Sequence, residues 1–349
     1  MASKKRGTAT MRDIAEAAEV SQSTVSRVLS GVATAVPIAP ETRERVMEAA
    51  RSLGYRPNPL ARGLRGASTN LLGAVVRDFS DPFFAGAIEA LVVESMAHGY
   101  NVVLGHAPSR DGNEAVSLTA VLETRHTDAV IVLGDMRAHP EVLDGLRQSH
   151  VPVVALWPGT GPREFPTADA DDRAGIEAGL EHLESLGHKR VGFVSADLPV
   201  GYKVREDAYL DFMRNRLGGV PEGYLRHCPN TLAGGDAALR ELMALPAPPT
   251  AVVASTDLVA VGVLHAAHSL GVSVPERLSV VGFDDILIAA HTVPALTTLR
   301  MPIAEIVNHA VAKAVSLARD QSGELGGPSL AVFKPELVVR DSTAPPPAS

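Results

Sequence analysis

Between residues 11 and 53 the apolar positions recur every three or four residues. Ile14, Ala15 and Ala18 form one set, Val25, Val28 and Leu29 a second, and Val46, Ala49, Ala50 and Leu53 a third. That spacing belongs to helices burying one face each. Thr10, three residues before Asp13, opens the first helix as a capping-box-like start, and that helix runs to about Ala18. Ser21 caps the second after a tight turn, and Pro40 or Glu41 begins the third, which stops at Gly54. Two short helices across so small a turn make a helix-turn-helix, and the third completes its core. Glu19 stands in the turn where glycine is often found, so either it accepts an unfavourable backbone angle or the turn takes another shape. The loop between Gly31 and Pro40 is mostly apolar, so part of it should pack on the three helices.

From Leu71 the pattern changes to short apolar runs alternating with amphipathic stretches. Strands are expected at 71–76, 101–104, 129–133 and 151–156, with helices at 83–98, 113–124 and 140–150. A second half repeats the scheme, with strands at 190–195, 224–228, 251–254 and 278–283 and helices near 173–186, 204–216, 235–245 and 258–270. Two α/β halves with parallel sheets imply a cleft, and ligands of such sheets lie beyond the strands' carboxyl ends.

Charge separates the two regions. The 349 residues carry a formal net charge of −8, yet residues 1–66 hold eleven Lys and Arg against six Asp and Glu. The basic excess is thus confined to the helical segment, as in a polyanion-binding module joined to an acidic domain. Cys228 is the only cysteine, which excludes an intramolecular disulfide and zinc-ribbon chemistry and points to a reducing compartment. Neither a secretory leader nor a run long enough to cross a membrane is evident, so the expected location is the cytoplasm, with no membrane partner.

The stretch 21–30 brings chemistry to the basic module. Gln22, Ser23, Ser26 and Arg27 fall on the face opposite Val25, Val28 and Leu29. Gln and Arg fit the major-groove edges of adenine and guanine, and small hydroxyls suit phosphate oxygens, so this face points to double-stranded DNA. Residues 55–66 form a Pro- and Gly-bearing linker in which Leu60, Ala61 and Leu64 share one face of a short, marginal helix weakened by Gly63.

The runs 14–18, Val20-Ser21, 24–29, 41–46 and 54–58, followed by Asp81-Pro82-Phe83-Phe84, Leu186-Gly187-His188, 280–285, 296–299 and 336–343, together resemble the lactose-repressor (LacI) family of bacterial transcription regulators over nearly the whole chain. The resemblance implies an all-α helix-turn-helix DNA-binding domain (1–57), a hinge helix or linker (58–69) and an α/β two-lobed periplasmic-binding-protein-like effector domain (70–343). The N-lobe is expected at about 70–166 and 294–327, and the C-lobe at about 167–293 and 328–343, with crossings near Thr167, Val293 and Pro328. Residues 344–349 are expected to be a disordered tail. By similarity Gln22, Ser23 and Arg27 read bases, while Ser21, Thr24 and Ser26 contact the DNA backbone. Asn58, Ala61 and Leu64 lie in the hinge, with Leu64 as the wedge between base steps. A homodimer on a near-palindromic operator follows, with an affinity set by a small molecule bound between the lobes.

Loop positions after the strands nominate Asp78, Asp81, Phe83, Asp257 and Asp284 as effector-binding, and Arg205 falls on the family's ligand arginine. Carboxylates with a guanidinium and an aromatic face suit a polyhydroxylated ligand, so a sugar leads. Trp157, the only tryptophan, either stacks on a sugar face or fills the surface between lobes. Trp157 stands where many relatives carry Asp, and Thr256 where they often carry Asn. Repression of carbohydrate-utilisation genes is the expected outcome. No cofactor or metal is expected. There is no glycine-rich dinucleotide motif, Walker motif or nucleophile elbow, and His265 and His268 read as a packed or partly exposed pair, so an enzyme is not expected. A periplasmic sugar-binding protein would lack the basic module, and a nucleoid-type architectural binder would not need the cleft.

Overall fold

In the computed structural model, the described residues are 9–30, 37–55, 68–107, 127–137, 139–159, 164–197, 203–320 and 326–347. They fall into two compact units divided after Ala67. Asn58, Ala61 and Leu64, the expected helix 113–124 and the apolar loop 31–36 lie outside the described residues.

The first unit holds α1 (Met11–Ala17), α2 (Gln22–Ser30) and α3 (Pro40–Ser52). The capping box is present: the Thr10 amide donates to Asp13 Oδ2 at 2.7 Å and the Asp13 amide to Thr10 Oγ1 at 3.4 Å. Glu19 does take the left-handed backbone, with φ 53°, so the turn keeps its shape at the cost of strain. Ile14, Ala15, Ala18, Val25, Val28, Val46, Ala49 and Ala50 form the core, with Ile38 packed on it from the preceding loop. Leu53, expected in that core, is exposed.

The second unit contains the two lobes. The first lobe is built on β1 (Leu71–Val76), β2 (Asn101–His106), β3 (Ala129–Leu133), β4 (Val153–Leu156), β5 (Thr167–Ala170) and β11 (Leu330–Phe333). They form one parallel sheet in the order β11-β5-β4-β3-β1-β2. It carries α4 (Pro82–Ala97), α5 (Pro140–Gln148) and α10 (Ile303–Arg319). The second lobe has a parallel sheet in the order β7-β6-β8-β9, made of β6 (Val191–Ala196), β7 (Leu225–Cys228), β8 (Ala251–Ala254) and β9 (Ser279–Val281). Its helices are α6 (Asp172–Ser185), α7 (Lys203–Arg216), α8 (Leu232–Met243) and α9 (Asp257–Ser269). A small antiparallel pair, β10 (Thr298–Arg300) with β12 (Glu336–Val338), completes the unit. The central strands β3 and β8 are buried at every position, which is why they read as unbroken apolar runs. Where α8 crosses α9, a Cβ on Gly262 would strike the Leu232 carbonyl, so glycine permits this close approach.

Sheet pairing moves all three crossings later than expected. β5 still belongs to the first sheet, so the chain leaves after Ala170, where the Asp171 side chain caps α6, and not near Thr167. Thr297 and Arg300 still bridge to Val281 and Asp284 of the second lobe, so the return comes at Met301–Pro302 and not near Val293. β11 pairs with β5, so the third crossing comes after Phe333 and not near Pro328. Asp285 clamps the later two, accepting from Arg300 Nε at 2.7 Å and Arg340 Nη2 at 2.6 Å. The tail also departs from expectation. Ala344 is held at both backbone groups, its amide donating to Ser279 Oγ at 3.0 Å and its carbonyl lying 2.8 Å from His188 Nε2. No described helix is long and apolar enough to cross a membrane.

Candidate functional site

At the start of α2, Ser21 Oγ accepts from the Thr24 amide at 3.1 Å and lies 2.7 Å from Ser23 Oγ and 2.9 Å from Thr24 Oγ1. The hydroxyls are thereby gathered at the helix N-terminus, where partial positive charge favours phosphate. Ser21, Gln22, Ser23 and Arg27 are exposed, Thr24 and Ser26 half-buried, and Val25 and Val28 buried. The helix therefore presents the polar face that its spacing implied.

In the second unit the carboxyl ends of the sheets converge on a cavity of about 30 Å3 lined by Asp81, Phe83, Trp157, Arg205 and Asp284 from the expected set. Arg205, in the first turn of α7, is only 2% exposed. Its Nε and Nη2 donate to the two oxygens of Asp172 at 3.0 and 3.2 Å, and Nη1 donates to the Ser255 carbonyl at 2.6 Å and to Asp284 Oδ1 at 3.5 Å. The guanidinium carbon sits 3.7 Å above the Phe283 ring. Stacking below and ion pairs at the edge fix the fork in one orientation. Asp284 has φ 117°, a strained angle for a residue with a side chain. Burial raises its carboxyl well above the ordinary range, against the pull of Arg205, and Asp257, Asp81 and Asp172 push the same way as burial.

Asp81 caps α4 through the Phe83 amide at 3.1 Å and accepts from Arg77 Nη2 at 3.1 Å. Burial raises its carboxyl above the usual value, opposed by the Phe83 amide and Arg77. Asn230, after β7, donates to Asp81 Oδ2 at 3.3 Å from the opposite lobe, and its own Oδ1 accepts from Thr256 Oγ1 at 2.8 Å. Phe83 meets Trp157 edge to face with centroids 4.9 Å apart. Trp157 is buried at φ 49°, with Nε1 unpaired among the described residues. The described residues thus join an ionic floor on the second lobe to an aromatic wall on the first.

Two of the nominated carboxylates lie elsewhere. Asp78 folds onto its own loop, accepting from the Ser80 amide at 2.8 Å and the Ser80 hydroxyl at 2.6 Å. Asp257 opens α9 but turns inward, accepting from Thr298 Oγ1 at 2.5 Å and the Ile286 amide at 2.9 Å. A Cβ on Gly282 would strike that carboxylate, so the glycine makes room for it. Gly159, Asp169, Asp172, Thr256 and Met301 also line the cavity, and only Thr256 had drawn notice in the sequence. Asp169 and Asp172 flank the true first crossing and Met301 marks the second, so misplaced crossings hid them. Asn230 carried no signal, since a lone polar loop residue is ordinary.

Residues 10–58 match the family model for bacterial regulatory proteins of the lacI family, and residues 180–343 match the periplasmic binding protein-like domain. The chain is 31% identical over 345 residues to the HTH-type transcriptional repressor CytR of Escherichia coli K12, covering 98% of each. The chain belongs to the LacI family. It is a transcriptional regulator with a helix-turn-helix domain and a two-lobed effector domain, the architecture of the solved members. Against the CelR–cellobiose complex the TM-score is 0.69 at 27% identity, covering 96% of this chain and 99% of that one. Against the lac repressor dimer bound to operator and the anti-inducer ONPF it is 0.80 at 24% identity, covering 97% and 100%. The latter likeness speaks for the fold alone.

Proposed function

We propose that this regulator represses carbohydrate-utilisation genes, and that a sugar or sugar derivative bound between the lobes sets its operator affinity. The observation that carries this reading is Arg205, buried and aimed by Asp172, Asp284 and Phe283 at a cavity walled by Asp81, Phe83 and Trp157. Ligand hydroxyls both donate and accept, so one ring can satisfy the carboxylates and the guanidinium together. The CelR complex with cellobiose supports a sugar in this architecture. A cavity of about 30 Å3 holds about two waters, so the lobes part to admit a sugar and close on it. Closure, pivoting on the three crossings, changes the spacing of the DNA-binding domains in a dimer.

On DNA, Gln22, Ser23 and Arg27 read base edges, and Ser21, Thr24 and Ser26 hold phosphates. Asn58, Ala61 and Leu64 complete the hinge contact in the minor groove. The chain acts in the cytoplasm as a homodimer, by binding and not by catalysis. Leu287 and Val293, 87% and 97% exposed, supply apolar surface on the second lobe for such a pairing. An electrophoretic shift assay with DNA selected from a random pool tests the DNA reading. Gln22→Ala should relax base preference at one position in each half-site, and Ser21→Ala should weaken all sequences alike. A variant Gln22→Ala with unchanged sequence preference would contradict it.

A further inference from the structure

A second cavity, separate from the cleft, opens on the other face of the first lobe's sheet. It has a volume of about 230 Å3, against about 30 Å3 in the cleft. Alternation along the strands creates it. Ile131, Leu133, Val154, Leu156 and Ala168 point into the main core, so Val132, Ala155 and Thr167 face the opposite way. α5 covers part of that face, packing Val142 and Leu146 on Val130, Val132 and Val153. Beyond it, Val132, Ala155, Leu143, Met136 and Phe165 form a largely apolar basin.

Two bidentate ion pairs make the rim. Asp135, wholly buried, is held by Arg137, whose Nη2 donates to Oδ2 at 2.6 Å and whose backbone amide donates to Oδ1 at 2.9 Å. Arg147 donates to Glu164 from Nε at 2.6 Å and from Nη2 at 2.7 Å. Gly134, at φ 96°, turns the chain from β3 onto the rim, and a Cβ there would crowd Arg77 and Phe84 at 3.0 Å. The basin lies at the carboxyl ends of β3 and β4, the place where parallel sheets take ligands. Gly159 lines this cavity as well as the cleft, two residues beyond Trp157.

We propose that this basin is a second ligand site, for a neutral ring compound that lays an apolar face on Val132, Ala155 and Phe165 and hydrogen-bonds at the rim. Each guanidinium on the rim is already neutralised by a carboxylate, so a charged ligand finds no uncompensated counter-ion to offset its desolvation, whereas a neutral one needs none. A basin of mostly apolar lining with a few fixed polar groups is the usual form of a small-molecule site.

The test uses the full chain and one ring system in two charge states. N-phenyl-1-naphthylamine should bind one to one, with energy transfer from Trp157, the only tryptophan. Its anionic relative 8-anilinonaphthalene-1-sulfonate should bind at least tenfold more weakly. Ala155→Phe, which fills the basin without reaching the cleft, should weaken the neutral probe at least tenfold at unchanged circular dichroism. Should that variant fail to fold, Ala155→Leu adds less volume and carries the same test. Absence of saturable binding, equal affinity for the sulfonate, or binding undiminished in a folded Ala155 variant would overturn the proposal.

Discussion

Arg205 illustrates what one residue does in this molecule. Its charge is what makes burial of Asp284 tolerable, beside half-buried Asp172, so removing it leaves both carboxylates without this counter-ion. Breaking a buried pair in this way costs about 3–5 kcal/mol. Arg205→Ala should therefore lower the melting temperature and abolish the response to the effector, while operator binding by the folded protein stays nearly intact; melts and a shift assay on the same preparation check both. Asp257 governs pH dependence. Burial pushes its carboxyl up to about 7 from an ordinary 3.8, with the Thr298 and Ile286 hydrogen bonds pulling the other way. Between those values the folded protein holds a proton that the unfolded chain has released, so the stability due to Asp257 falls as pH rises from about 4 to about 7 and levels off above. Urea unfolding across that range should show a flatter decline in Asp257→Asn than in the parent. Equal slopes would show that the buried carboxyl is not responsible.

At the scale of elements, legibility followed burial. β1, β3 and β8 were placed to the residue because each is a continuous apolar run. β5, reading Thr-Ala-Asp-Ala, carries no such signal; β11, reading Leu-Ala-Val-Phe, is an apolar run, but it is an edge strand with alternate residues exposed and nothing in the chain announces its pairing with distant β5, and missing the two displaced two crossings. Two of the four nominated carboxylates, Asp78 and Asp257, miss the cavity for another reason, their hydrogen bonds to other partners. Asp257 was nominated because it follows a strand, yet the Ile286 amide and Thr298 draw it inward, and no pattern in the chain announces partners that distant. The turn between α1 and α2 was legible, but the sequence left two alternatives at Glu19, and the structure decides for the left-handed backbone. Glu19→Gly should relieve the left-handed backbone and stabilise the first unit by about 0.5–1 kcal/mol after the entropy cost of glycine, measurable by chemical denaturation of that unit's transition. In the second lobe, Gly262→Ala should cost about 1–3 kcal/mol, because the new methyl meets the Leu232 carbonyl across α8 and α9.

For the whole molecule, two lobes joined by three crossings form a device with few ways to move. Asp285 ties the second and third crossings, and Asn230 reaches across to Asp81, so opening the cleft breaks the second contact while the first can persist. A dimer turns that motion into a change at DNA, and Leu287→Asp should shift the protein toward monomer in light scattering with loss of tight operator binding. In the proposed mechanism a sugar binds at Arg205. This binding is tested most directly by melting the parent and Arg205→Ala against a panel of mono- and disaccharides, polyols, sugar phosphates and nucleosides. A ligand at 100 times its dissociation constant adds about 2.7 kcal/mol, a shift of several degrees. At least one sugar should raise the melting temperature of the parent and leave the variant unmoved. No response to any sugar, or the same response in both proteins, would contradict the claim.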